Sequence, residues 1–299
     1  MVSVDFDTTI NKKCQMNIYR IINATRIGLI INQNPANYLI PFSIKQLTIK
    51  MSNVFWILVV PFLIFNSMAS AQDALSIVKK ADEKMRGSTA IIEMTINTIR
   101  PSWKRTMKLK VWSKGTDYSM ILITAPAKDK GVAFLKRKKE VWNWYPTLEK
   151  VIKLPPSMMN QSWMGTDFTN DDLVKESSVI NDYTHKIIGD TIIESKLCYK
   201  IEMIPKQYAA VVWGKLIVCI DKIDYLELHV RFYDEDGALI NIMNAYEPKL
   251  FGGRIIPSRF EMIPINNKGN KTEMVYNKII FDNPIEDDFF NLNTLKNLE

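Results

Sequence analysis

The chain has 299 residues, 47% of them hydrophobic and 24% charged, with a formal net charge of +7. Residues 1–71 hold six basic residues (Lys12, Lys13, Arg20, Arg26, Lys45, Lys50) against two acids (Asp5, Asp7), which leaves 33 basic and 30 acidic residues for the rest. That remainder is a mixed surface without the broad positive face that phosphate binding needs, so no nucleic-acid partner is expected.

The first readable element is a leader. Val54 to Phe65 is an uncharged apolar run, too short to span a bilayer comfortably. Lys45 and Lys50 precede it and Ala69-Ser70-Ala71 follows it. This is the three-part pattern of a secretory signal peptide over about 44–71, cleaved near Ala71, and it predicts a periplasmic mature protein. The stretch before it reads as an over-extended start, with the true start expected between Ile44 and Met51. Residues 72–299 are then expected to form a single domain.

Asp73 can cap a helix over Ala74–Arg86, with Leu75, Val78 and Met85 near one face and Gly87 ending it. Beyond Gly87 the apolar period changes to two. Ile92, Met94 and Ile96 form one alternating set, Met107, Leu109 and Val111 a second, and Leu226, Leu228, Val230 and Phe232 a third. Turn signals separate such runs, for example at Lys114-Gly115 and Asp234-Glu235-Asp236-Gly237.

About eleven strands are expected, near 90–99, 103–113, 117–124, 131–137, 140–145, 149–154, 197–204, 215–221, 225–233, 239–246 and 255–263, with a further one near 272–281. This spacing predicts a mainly β protein whose antiparallel sheet curls toward a barrel or sandwich. Pro155 to Lys175 breaks the alternation and reads as an irregular or short-helical insertion lying over the sheet.

The common catalytic templates are missing. There is no G-x-S-x-G elbow, Walker loop or dinucleotide fingerprint. His185 and His229 stand apart with no metal-ligand spacing, so no catalytic residues, metal or cofactor are predicted. Glu286-Asp287-Asp288 reads as a helix start.

The apolar inventory says more. Residues 72–299 carry eleven Met and six Trp. Met adapts to varied apolar partners, and Trp adds large area with one polar handle. Trp142 and Trp144 fall on one face of a strand. With Met158, Met159, Trp163, Met164 and Phe168 of the insertion they are the candidate cavity and lid residues, against the alternative of an ordinary Met- and Trp-rich core.

Two further features stay open at this point. Lys136-Arg137-Lys138-Lys139 is either a solvated turn or a docking patch for anionic headgroups or an acidic partner. Cys198 and Cys219 lie in strand-like runs that can pair, so they are either a disulfide or two buried thiols.

The segment from Lys130 to Val174 resembles a family of secreted bacterial proteins, the outer-membrane lipoprotein-sorting proteins related to the LolA/LolB carriers. The matching residues are Gly131 with Phe134-Leu135, Trp142, Tyr145-Pro146, Lys150-Val151, Met158-Met159, Gly165-Thr166-Asp167-Phe168 and Asp172-Leu173. Cys198-Tyr199, the run from Trp213 to Asp221, Phe232-Tyr233-Asp234, Pro257 and Phe289 extend the likeness. The resemblance implies an incomplete antiparallel barrel with a helical lid over an apolar cavity. It also implies a non-enzymatic carrier that binds a lipid or lipoprotein acyl chain and hands it on, with a membrane transporter or outer-membrane acceptor as partner. Two other readings compete: a phospholipase-like hydrolase using Asp167, Asp171 and Asp172, and an envelope partner or sensor of a membrane transporter.

Overall fold

The structure, a computed structural model, describes residues 74–175 and 179–298. The leader, the signal-peptide segment with its cleavage point near Ala71, and the expected cap Asp73 lie outside the described residues.

Helix α1 spans 74–86. It buries Ala74, Ile77, Val78 and Ala81, whereas Leu75, expected on the buried face, is exposed. Gly87 ends the helix in the left-handed region, φ +68°, its N–H donating to the Glu83 carbonyl at 3.1 Å.

Two antiparallel meanders follow. The first holds β1 (Thr89–Arg100), β2 (Trp103–Lys114), β3 (Tyr118–Ala125), β4 (Ala133–Arg137), β5 (Glu140–Tyr145) and β6 (Lys150–Lys153). The second holds β7 (Tyr183–Ile193), β8 (Lys196–Pro205), β9 (Lys215–Asp221), β10 (Glu227–Tyr233), β11 (Leu239–Phe251), β12 (Arg254–Pro264) and β13 (Lys271–Phe281). The short helix α2 (Leu292–Lys296) ends the described chain, capped by the Asn291 side chain, which accepts from two backbone N–H groups.

The meanders join where β1 pairs with β13, giving one 13-stranded antiparallel sheet in the order β6-β5-β4-β3-β2-β1-β13-β12-β11-β10-β9-β8-β7. The sheet is not closed: β6 and β7, consecutive in sequence, are its two opposite edges. The segment between them must therefore travel from one edge to the other. It does so across the sheet's inner face, because Leu154, Met159, Trp163, Phe168 and Val174 pack into the same buried cluster as α1 and the inward residues of β1–β5 and β8–β13. Strands from both halves converge on that one cluster, so the sheet curls around it.

The strand count exceeds the sequence expectation by β7. That strand is an edge, mostly exposed, and its register shifts between Ile187 and Gly189, which spoils the twofold pattern that marks the others.

A second buried cluster lies on the outer face. Phe290 and Leu295 of the C-terminal segment are fully buried there against Trp112, Met120, Leu122 and Leu135.

Candidate functional site

The inner face retains a hollow. A cavity of about 320 Å³ lies between α1, the sheet and the 154–175 segment. That is roughly twice the ~150 Å³ apolar void that admits benzene, and it falls at the lower end of ligand-sized clefts, ~300–1,000 Å³. Its wall is mainly apolar: Val78 and Ala81 from α1, Ile92 and Ile96 from β1, Val111 from β2, Phe232 from β10 and Phe260 from β12. Five methionines, Met85, Met94, Met243, Met262 and Met274, also line it. Unbranched thioether side chains repack around guests of different shape, which suits a site that accepts varied chains.

The 154–175 segment contributes Trp163, Phe168 and Leu173 to the wall. Trp163 is fully buried, its ring 5.3 Å from that of Phe134, and its indole N–H has no acceptor. A set of hydrogen bonds around Met164-Gly165-Thr166-Asp167 fixes these side chains. The Trp163 N–H donates to the Phe168 carbonyl at 2.8 Å, and the Thr166 hydroxyl donates to the Trp163 carbonyl at 2.7 Å. Met164 and Gly165 both take positive φ, +50° and +75°. A side chain in that region is disfavoured, so Met164 stays there because its neighbours hold it.

The main holder is Asp167. Its carboxylate accepts two hydrogen bonds from Arg100, at 2.9 and 3.1 Å, and one from the Thr272 hydroxyl at 2.7 Å. The same hydroxyl accepts from the Asp167 N–H at 2.9 Å. Arg100 also donates to the Gly165 carbonyl, Arg105 to the Met164 carbonyl and Asn241 to the Asp167 carbonyl. A paired, planar fork of this kind fixes orientation as well as adding energy. Asp167 is thus a clasp that pins the lid to β1, β11 and β13. Both oxygens of that carboxylate are engaged by Arg100, and one of them also by Thr272.

Asp171 and Asp172 reach the cavity too. The Asp172 carboxylate accepts from the Trp213 indole N–H at 2.8 Å and from the Thr169 N–H at 2.8 Å. Burial nonetheless pushes its pKa up to about 6. Tyr183 nearby is raised chiefly by burial, with Asp171 and Asp172 adding.

Glu227 is the cavity residue that the alternation misplaces. The pattern Leu226, Leu228, Val230, Phe232 predicts one shared face and puts Glu227 on the other. In the structure β10 bulges at Leu228, since Glu227 pairs with Ile220 and His229 with Cys219. The extra residue inverts the phase. Leu226 and Leu228 pack outward with Cys198 and Cys219, while Glu227 joins Phe232 in the cavity wall. Burial, and then the charge of Asp82, push its pKa up to about 7. Asp82 itself accepts from Arg86 one turn on, at 3.1 Å.

Other expected site residues lie elsewhere. Trp142 and Trp144 do share a face of β5, but it is the outer one, where they flank the C-terminal cluster. The inner face of β5 is taken by Val141 and Asn143. Met158 is exposed, and Met159 and Met164 pack in the core without lining the cavity.

The basic run is interrupted as well. Lys136 is buried on β4 beside Ser119, so only Arg137, Lys138 and Lys139 face solvent. Of the two readings left open for Cys198 and Cys219, the structure has the buried thiols. They sit on neighbouring strands but two positions out of register, Cys198 opposite Asp221 and Cys219 opposite Lys200. Diagonal neighbours stand farther apart than a disulfide requires.

His185 and His229 are half-buried, bonded to the Val179 carbonyl and the Asn244 side chain, with pKa values lowered by burial. Neither lines the cavity. Among the described residues no group of three or more metal-ligating side chains is assembled.

Known proteins place this architecture. A family model described only as an uncharacterized protein matches residues 115–297, more than half of the chain. No curated protein matches in sequence. Solved structures do match. A domain assigned to outer membrane lipoprotein-sorting proteins from Vibrio parahaemolyticus has a TM-score of 0.68 at 23% identity, over 76% of this chain and 99% of that one. A DUF1329 family protein from Desulfovibrio piger gives 0.69 at 19% identity, over 76% and 99%. A LolA superfamily protein from Nitrosomonas europaea gives 0.65 at 22% identity, over 74% and 98%. The fold is therefore LolA-like, and residues of the described part span nearly the whole of each of these relatives.

Proposed function

The chain belongs to the family whose model, described as an uncharacterized protein, covers residues 115–297, and from that premise and its LolA-like fold we propose that it is a periplasmic carrier. It takes a lipid or lipoprotein acyl chain into the cavity and hands it on within the envelope. The observation that carries this reading is the hollow itself: an apolar, Met-lined space of about 320 Å³ left under a lid that is fastened at Asp167. Each methylene moved from water into such a space contributes ~0.8 kcal/mol, so binding and release need no covalent step. The leader at about 44–71 supplies export, and residues 72–299 form the carrier domain. Trp163 and Phe168 act as the lid's contact with the guest. The exposed Arg137, Lys138 and Lys139 serve as the docking patch toward an anionic membrane surface or an acidic partner, a transporter or an outer-membrane acceptor.

Native mass spectrometry of the protein purified from the exporting cell checks the reading. Co-bound acyl species are expected on the wild type and should be lost from Ala81→Phe, which fills the cavity from α1. A wild type that carries no acyl species and takes up none from vesicles would overturn it. Replacing Arg137, Lys138 and Lys139 with Ser should weaken association with anionic vesicles while leaving acyl binding intact.

A further inference from the structure

The cavity that binds the acyl chain is not uniformly apolar, and its polar groups are one-sided. Among the described residues four carboxyl groups line it, those of Asp82, Asp171, Asp172 and Glu227, and one guanidinium, Arg86, which donates to Asp82 at 3.1 Å. Asp172 has its donors in Trp213 and Thr169. Glu227 has none: no described residue donates a hydrogen bond to it, and the charge that acts on it is the like charge of Asp82. The bulge at Leu228 is what turns this side chain inward, beside Phe232 and away from the cysteine-lined outer face. A carboxylate in an apolar wall without a protein donor is disfavoured, and a guest that brings a donor or a cation to it relieves that cost.

We infer that the guest is an amphiphile with a cationic amine head, whose ammonium meets Glu227 while its hydrocarbon tail occupies the Met-lined space. This inference rests on the carrier reading and narrows it. The same field opposes a free fatty acid, because a guest carboxylate would add a like charge beside Asp82 and Glu227.

Isothermal calorimetry on the exported protein with dodecylamine, dodecanol and dodecanoate, monomeric in solution at about pH 8 where amine and acid are both charged, separates the two claims. The amine should bind about tenfold or more tighter than the alcohol, as a hydrogen bond to a charged group would give, and dodecanoate should bind weakest. Glu227→Gln, shown to be folded by its near-UV circular dichroism, should lower the amine's affinity to that of the alcohol. Dodecanoate binding as tightly as the amine, or an amine preference that survives in Glu227→Gln, would overturn the inference while the carrier reading stands. Failure of all three probes to bind would overturn both.

Discussion

Glu227→Gln also tests the cavity through stability alone, without any guest. In the unfolded chain Glu227 ionises near its ordinary 4.5, and in the folded protein burial and Asp82 raise this to about 7. Between those values the native state keeps a proton that the unfolded state has released. Stability must then fall as pH rises through that window, and the loss is complete above about pH 7. A rise from 4.5 to about 7 corresponds to about 3 kcal/mol, at ~1.4 kcal/mol per tenfold change in proton affinity. The side chain is only half-buried and faces a hollow that water can enter, so screening cuts the expected effect to ~1–2 kcal/mol. Gln keeps the shape and never ionises. Urea unfolding followed by tryptophan emission should therefore show the variant ~1–2 kcal/mol more stable than wild type at about pH 8.5, with the difference vanishing toward about pH 4.5. Asp172, raised to about 6 by burial, titrates in both proteins and cancels from the comparison. A gap that does not change with pH, or a variant that is less stable at the alkaline end, would show that Glu227 is solvated and not confronted by an apolar wall.

Three other outcomes follow from the same geometry. Asp167→Asn leaves the Arg100 guanidinium without its carboxylate and should cost ~2–4 kcal/mol, with hydrogen exchange accelerating selectively at the backbone amides of residues 163–171; a uniform change across the sheet would refute the clasp. Phe290→Ala should cost about 3–5 kcal/mol and alter emission from Trp112, Trp142 and Trp144 on the outer face without changing acyl binding, since that cluster is separate from the cavity; lost acyl binding in a folded variant would contradict the assignment of faces. Both Cys198 and Cys219 should be alkylated after unfolding without reductant, and both should react slowly in the native state, where burial pushes their thiols up; a mass that changes with reductant would restore the disulfide.

The twofold period made the strands legible, and the break in it at Pro155 to Lys175 marked the lid. Alternation, though, says which residues share a face and not which face is inside. Trp142 and Trp144 were grouped correctly on β5 and still assigned to the wrong side, because the C-terminal segment that covers them lies some 140 residues later. A bulge defeats the pattern more thoroughly. At Leu228 it inverts the phase of β10 and hides the one acid that matters most to the cavity, and at Ile187 to Gly189 it conceals β7 altogether. The Met-rich composition pointed to an adaptable hollow, yet the methionines that line it come from α1 and the strands, not from the insertion. The Met164-Gly165-Thr166-Asp167-Phe168 segment could be quoted as a motif but not explained, because its partners Arg100 and Thr272 lie 67 and 105 residues away.

Those distant partners also account for why a hollow persists. Apolar side chains under a curled sheet gain by collapsing together, and a free loop over the mouth would settle inward until the space closed. Here the connection between β6 and β7 has to cross the whole inner face, because the strands it joins are the opposite edges of one sheet. It is fastened midway, by Arg100 and Thr272 at the far ends of β1 and the start of β13. Anchored at both edges and in the middle, the lid can lower Trp163 and Phe168 only as far as the clasp at Asp167 permits. The height of Trp163 and Phe168 over the sheet is thus tied to ionic and hydrogen-bonded contacts at the sheet's rim as well as to their packing in the core. Loosening the clasp by Asp167→Asn is therefore expected to change the depth of the Met-lined hollow.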